Sequence, residues 1–196
     1  MKVIVINLIG ADERANHINS QLNKQGIFHT FFRGLNNNKF RLMTLGNKHK
    51  FGLTGCYISH LLAWQNNITN DYLMIVEDDY VLPNDFMIQV RDYIKTLPID
   101  TDFAFLFWDK IKTKYKEESE IEINKDWMKT NGIWSTACYL VNTKNIQKIE
   151  KVLGENIVDH IDMAIDNKGY EGELNVYFLN KPIGSLAGLK SQIGHE

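Results

Sequence analysis

Glu77, Asp78 and Asp79 stand in a row directly behind the apolar run Tyr72-Leu73-Met74-Ile75-Val76. Adjacent carboxylates repel one another, so this placement gains nothing unless a cation or hydrogen-bond donors meet them there. While the chain stays extended, Glu77 and Asp79 share one face and Asp78 points to the other. That is an acidic-x-Asp pair, suited to holding Mg²⁺ or Mn²⁺ against a diphosphate. The competing reading is an exposed acidic turn that caps the following helix. Asp159 and Asp162, three apart, are neighbours on one face of a helix. One of them could accept the proton of an attacking hydroxyl as a general base, or Asp159 could cap the helix with Asp162 in solvent.

Cys56 and His60 have a spacing that could hold zinc, but no second Cys/His pair follows at a ligand spacing. Cys56 is then a core residue, and His60 either a satisfied buried histidine or a donor lining a crevice. Ser59 beside His60 is not a nucleophile pair, and there is no G-x-S-x-G elbow, which sets aside a serine hydrolase. Neither a P-loop nor a G-x-G-x-x-G turn is present, so any nucleotide must be held through the metal. Trp64, Trp108, Trp127 and Trp134 are core candidates first; stacking of one of them on a sugar or uracil is the alternative.

The elements that must position these residues alternate. Val3 to Asn7 reads as a strand, and a helix opening at Asp12 carries Ala15, Ile18 and Leu22 as far as Gly26. Ile27 to Phe32 is a second strand, and Gly34 to Lys50 a long loop or lid. Thr54 is expected to cap a helix ending near Asn70. Tyr72 to Val76, apolar without alternation, is expected at the centre of a sheet covered on both faces. A helix from Pro83 to Leu97, a strand from Phe103 to Trp108, and a surface hairpin or excursion from Lys110 to Lys129 follow. A strand from Gly132 to Val141, helices over Thr143 to Leu153 and Asp159 to Asn167, and a strand from Leu174 to Leu179 complete the order. This is an α/β sandwich with a mainly parallel sheet, whose ligand crevice lies beyond the carboxyl ends of the strands. The acidic triplet falls at that edge.

The chain has 196 residues, 44% of them apolar, with three prolines and a formal net charge of -2. One domain over 1–196 is expected. A general nucleic-acid footprint is excluded by the near balance of 22 basic and 24 acidic residues, so charge must act locally. Two cysteines are too few for a disulfide scaffold, and no apolar run approaches a membrane span. The expectation is a cytoplasmic protein, with peripheral membrane contact through a lipid-linked acceptor left open.

Six blocks in order resemble glycosyltransferase family 25, which includes lipooligosaccharide and collagen galactosyltransferases. Val5-Ile6-Asn7-Leu8 with Glu13-Arg14 is similar to its I-N-L...R signature, and Gly52-Leu53-Thr54-Gly55-Cys56-Tyr57-Ile58-Ser59-His60 to G-E-x-G-C-x-x-S-H. Met74 to Asp79 resembles L-I-L-E-D-D, Trp134 to Val141 resembles G-T-x-A-Y-L-I, and His160-Ile161-Asp162 resembles P-I-D. Val176 to Pro182 with Ser191-Gln192-Ile193 resembles the terminal V-Y...P...S-D-I. Leu53 departs from the family's glutamate and His160 from its proline. The resemblance implies a GT-A-like, Rossmann-type α/β/α fold and inverting transfer of a hexose, galactose or glucose, from a UDP-sugar to a saccharide or glycoconjugate. It implies Mn²⁺ or Mg²⁺ on Asp79 and Glu77, and donor contacts from Asn7, Arg14, Glu77, Asp78, Ser59 and His60. Asp162 or Asp159 is then the base, in a role such as lipopolysaccharide biosynthesis. A degenerate module that binds nucleotide sugar or glycan without turnover is the alternative.

Overall fold

The computed structural model describes residues 1–35, 48–69, 71–110, 120–130, 132–154 and 160–189. The strands are β1 (Lys2–Leu8), β2 (Thr30–Gly34), β3 (Tyr72–Glu77), β4 (Tyr80–Val81), β5 (Phe103–Phe105), β6 (Asp109–Lys110), β7 (Ile121–Glu122), β8 (Trp127–Lys129), β9 (Ile133–Trp134), β10 (Cys138–Asn142), β11 (Val176–Leu179) and β12 (Ser185–Leu186). The helices are α1 (Asp12–Lys24), α2 (Lys48–Gln65), α3 (Phe86–Thr96), α4 (Ile146–Gly154) and α5 (Ile161–Tyr170).

Eight strands form one sheet in the order β2-β1-β3-β10-β5-β11-β8-β7. β10 and β8 run against the other six, which makes a mixed sheet with a mainly parallel sense. The unbroken apolar character of its strands has a simple cause: successive side chains go to opposite faces, and both faces are covered. Val3, Val5, Met74, Val76, Ala104 and Leu140 pack with Ile18 and Leu22 of α1 and Phe86 and Val90 of α3. Ile4, Ile6, Leu73, Ile75, Phe105 and Tyr139 pack with Tyr57 and Trp64 of α2, Ile149 and Leu153 of α4, and Ile165 of α5. The result is a three-layer α/β/α sandwich.

Among the boundaries that differ from those expected, three bear on the site. Thr54 lies inside α2, which is helical from Lys48, so it caps nothing. The run Gly132 to Val141 is two strands, because Ser135 takes φ +105 and turns the chain between β9 and β10. The run Phe103 to Trp108 likewise ends as a sheet strand at Phe105, and the chain then pairs β6 with β9 outside the main sheet. The charged excursion does contain a hairpin at the sheet edge, β7 with β8. Residues 36–47 of the expected lid, with Asp159 and Ser191 to Ile193, lie outside the described residues.

A small ribbon clamps the acidic triplet from outside. β12 pairs with β4, and the Ala187 N–H donates to the Asp79 carbonyl at 2.8 Å. Its turn depends on Gly184, at φ +76, where a Cβ would stand 2.2 Å from the Tyr80 hydroxyl oxygen and 2.6 Å from the Val81 carbonyl oxygen. The buried Tyr80 hydroxyl cannot retreat without losing its 2.6 Å bond to the Ile183 carbonyl. Gly184→Ala is therefore expected to cost about 3 kcal/mol through strain and overpacking. Thermal unfolding should show a midpoint lower by roughly 6 to 12 °C for a domain of this size; an unchanged midpoint would mean that the ribbon does not hold this turn.

Candidate active site

The carboxyl ends of β1 and β3, the start of β10 and the first turn of α5 meet along one edge of the sheet. β3 carries its apolar residues to Val76 and delivers Glu77 at its last position, with Asp78 and Asp79 in the turn beyond. Because the strand stops there, the extended alternation stops too. Asp78 and Asp79 turn together toward α1, and Glu77 turns toward α2.

On the α1 side the partner is Arg14. Its Nε donates to Asp78 Oδ1 at 2.6 Å, and its Nη2 lies 2.6 Å from the same oxygen and 3.0 Å from Asp79 Oδ2. Asn7, buried at the end of β1, donates from Nδ2 to Asp78 Oδ2 at 2.7 Å. Its own Oδ1 accepts from Nη1 of Arg33, an exposed residue at the end of β2. Burial works against the Arg14 charge, but Asp79 and Asp78 outweigh it and raise its pKa. Asp78 is thus fully engaged in holding the turn. Arg33 was not singled out from the sequence; its place next to Gly34 at the end of a strand was the available signal.

On the α2 side, Glu77 Oε1 accepts from the Thr136 hydroxyl at 2.5 Å and lies 3.5 Å from His60 Nε2. The other ring nitrogen of His60 is 2.6 Å from the Tyr139 hydroxyl, which accepts from Trp64 Nε1 at 2.9 Å. With Trp64 a pure donor, the Tyr139 proton goes to His60 Nδ1, and Nε2–H is left to face Glu77. Burial pushes the Glu77 carboxyl up, but His60, Thr136 and Arg14 prevail and hold it below its ordinary value. His60 and Ser59 are each 1% exposed. Ser59 donates to the Gly55 carbonyl at 2.6 Å and accepts the Leu35 N–H at 2.9 Å, tying the end of β2 to α2. Both side chains lie beneath the crevice and shape it from below.

Asp162 enters from the third side. Its Oδ2 accepts the Ser135 N–H at 3.0 Å, and its Oδ1 accepts the Met163 N–H at 2.9 Å. One lone pair on each oxygen remains for another donor. Ser135 also accepts the Ala137 N–H through Oγ at 3.2 Å. These bonds hold a non-glycine residue at positive φ, a conformation that costs about 1–3 kcal/mol. Burial, and then the Glu77 and Asp162 carboxylates, push the half-buried thiol of Cys56 up. It stays protonated at neutral pH.

Asp79 differs from its neighbours. Its Oδ2 meets Arg14, but its Oδ1 is buried and has no hydrogen-bond partner. A carboxylate oxygen shielded from water and left unpaired fits a hard cation. No group of three or more His, Cys, Asp or Glu side chains forms a cage among the described residues.

Burial, followed by the charge on Glu77, pushes the Asp79 carboxyl up to about 6, from an ordinary value of 3.8. Between those values the folded chain binds more protons than the unfolded one, so the group subtracts stability as pH rises from about 4 to about 6. With metal chelated, Asp79→Asn is expected to be about 2 kcal/mol more stable than the wild type near pH 8, and no more stable near pH 4. Chemical denaturation at the two pH values checks this; equal stabilities near pH 8 would refute it.

The model of glycosyltransferase family 25, described as an LPS biosynthesis protein, matches residues 1–167. No curated protein matches the chain in sequence. Among solved structures, a Bacillus anthracis protein described as a glucose-1-phosphate thymidylyltransferase, in complex with a sucrose, aligns at TM-score 0.52 and 14% identity. That alignment covers 94% of this chain and 88% of the other. The inositol-1-phosphate CTP transferase from T. maritima aligns at TM-score 0.47 and 13% identity, over 98% of this chain and 74% of that one. A glycosyltransferase involved in glycosylating the major capsid of PBCV-1 aligns at 0.43 and 11%, over 79% and 66%. The first of these likenesses shows a shared GT-A-like α/β fold. With a family match running from β1 through most of α5, across every residue of the crevice just described, the chain belongs to glycosyltransferase family 25.

Proposed function

We propose that the chain is a metal-dependent, inverting hexosyltransferase that moves galactose or glucose from a UDP-sugar to a hydroxyl of a saccharide or glycoconjugate. The observation that carries this reading is the pairing of two unlike carboxylates on one sheet edge. Asp79 keeps an unpartnered buried oxygen, and Asp162 is held by two backbone N–H groups with acceptor capacity to spare.

Asp79, with Glu77 beside it, would hold Mn²⁺ or Mg²⁺, which supplies neutralisation of the departing diphosphate when bound. Arg14 keeps Asp78 and Asp79 together despite their like charge. The His60 N–H and the Thr136 hydroxyl hold the Glu77 carboxylate in place, where it would contact the ribose or support the metal. Asp162 takes the proton of the acceptor hydroxyl as its oxygen bonds the anomeric carbon. The bond from that carbon to the diphosphate breaks, and UDP leaves with the electron pair. Attack from the face opposite the leaving group inverts the centre. The family's description as an LPS biosynthesis protein motivates a lipid-linked saccharide as the acceptor. No helix among the described residues is long and apolar enough to cross a membrane.

Donor hydrolysis and transfer across a panel of nucleotide sugars, with Mn²⁺, Mg²⁺ or chelator, tests this reading. Asp162→Asn is expected to lower kcat by about 10²- to 10⁴-fold while UDP binding is kept. Asp79→Asn should abolish metal-dependent UDP binding in a protein that still folds. Turnover that survives both substitutions, or UDP binding indifferent to chelator, would refute the mechanism.

A further inference from the structure

Of the four tryptophans, Trp64 and Trp127 are wholly buried, and Trp108 is partly buried with its indole N–H on the Leu179 carbonyl. Trp134 alone is exposed, at 41%. Its indole lies parallel to the His160 ring, with centroids 5.9 Å apart and planes 20° from parallel. His160 occupies the N-cap position of α5, two residues before Asp162. From the other direction, Ser135 follows Trp134 and gives its backbone N–H to Asp162. The positive φ of Ser135 separates Trp134, on β9, from the buried strand β10. One strained residue thus sets an exposed, ring-backed indole and the candidate base side by side.

We propose that Trp134, backed by His160, is the stacking surface for the pyranose ring of the acceptor. This rests on the transferase reading for the identity of the ligand. The chemistry fits a sugar: one face of a pyranose presents C–H groups to an indole, while its equatorial hydroxyls stay outward for hydrogen bonding. An aromatic side chain with a rigid neighbour offers that contact at little entropic cost. A hydroxyl of a ring resting there stands beside Asp162, the group that must take its proton. The nucleotide belongs at the Asp79 end of the crevice, where the metal would hold its diphosphate, so Trp134 serves the acceptor and not uracil.

Saturation-transfer NMR with methyl galactoside, methyl glucoside and lactose, and with UDP plus Mg²⁺, tests the platform without needing turnover. Ring-proton signals are expected from at least one saccharide with the wild type and with Trp134→Phe. Binding should be about tenfold weaker with Trp134→Ala, equivalent to about 1.4 kcal/mol, while UDP binding is the same in all three. No saccharide signal from the wild type, equal saccharide binding by Trp134→Ala, or loss of UDP binding in that variant would overturn the proposal. Steady-state kinetics separates the two readings. Transfer with an unmoved acceptor KM in Trp134→Ala refutes the platform alone. Saccharide binding that depends on Trp134, in a protein that turns over no nucleotide sugar, refutes the proposed function alone.

Discussion

Three consecutive carboxylates at the end of a strand buried on both faces would drive that edge apart unless something opposed their repulsion, and Arg14 is what opposes it. One guanidinium spans Asp78 and Asp79, and it comes from the first turns of α1, which packs Ile18 and Leu22 into the core beneath. Its position is therefore as fixed as the core itself. The remaining charge is dealt with separately: Asn7 closes Asp78, and His60 and Thr136 close Glu77. Donors reach every member of the triplet, yet one oxygen of Asp79 is left without any. The donors engage Glu77 Oε1, both oxygens of Asp78 and Asp79 Oδ2, and the chemistry of the site follows from the buried Asp79 oxygen they leave over.

The two cores on either side of the sheet supply different halves of this arrangement. α1 and α3 cover one face and bring Arg14. α2, α4 and α5 cover the other and bring His60 and Asp162. Where the faces meet, β1 contributes Asn7, β3 contributes Glu77, and the turn before β10 contributes Thr136. Tyr139 illustrates the coupling. It lies wholly within the second core, stacked near Phe105, yet its hydroxyl sets which nitrogen of His60 faces Glu77. Core packing and site electrostatics are carried by the same residues here.

Much of this was legible in the sequence because it depends on local pattern. Tyr72 to Val76 reads as a doubly covered strand from its unbroken apolar character, and a crevice beyond its carboxyl end follows from the α/β order. The triplet, His60 and Asp162 were marked by residue type and spacing, and Arg14 by the family resemblance. What spacing could not convey was direction at the ends of elements. The extended alternation would have paired Glu77 with Asp79, whereas the turn after Glu77 pairs Asp78 with Asp79 on a single arginine. Arg33 was passed over because its contact with Asn7 is 26 residues away in sequence and crosses between strands. The break between β9 and β10 was hidden because Ser135 carries none of the glycine signal that positive φ ordinarily leaves.

That break shows why the sequence misleads where function begins. A regular strand from Ile133 to Val141 would suit most of those residues, since Ile, Trp, Thr, Tyr and Val all favour extended backbone. It would also send the Trp134 indole into a face of the sheet and leave Asp162 without the Ser135 N–H. The chain instead accepts a strained serine, offset by two hydrogen bonds, and gains an exposed ring and a fixed carboxylate at the same edge. A departure from local preference that places two chemically useful groups together is hard to explain by stability alone.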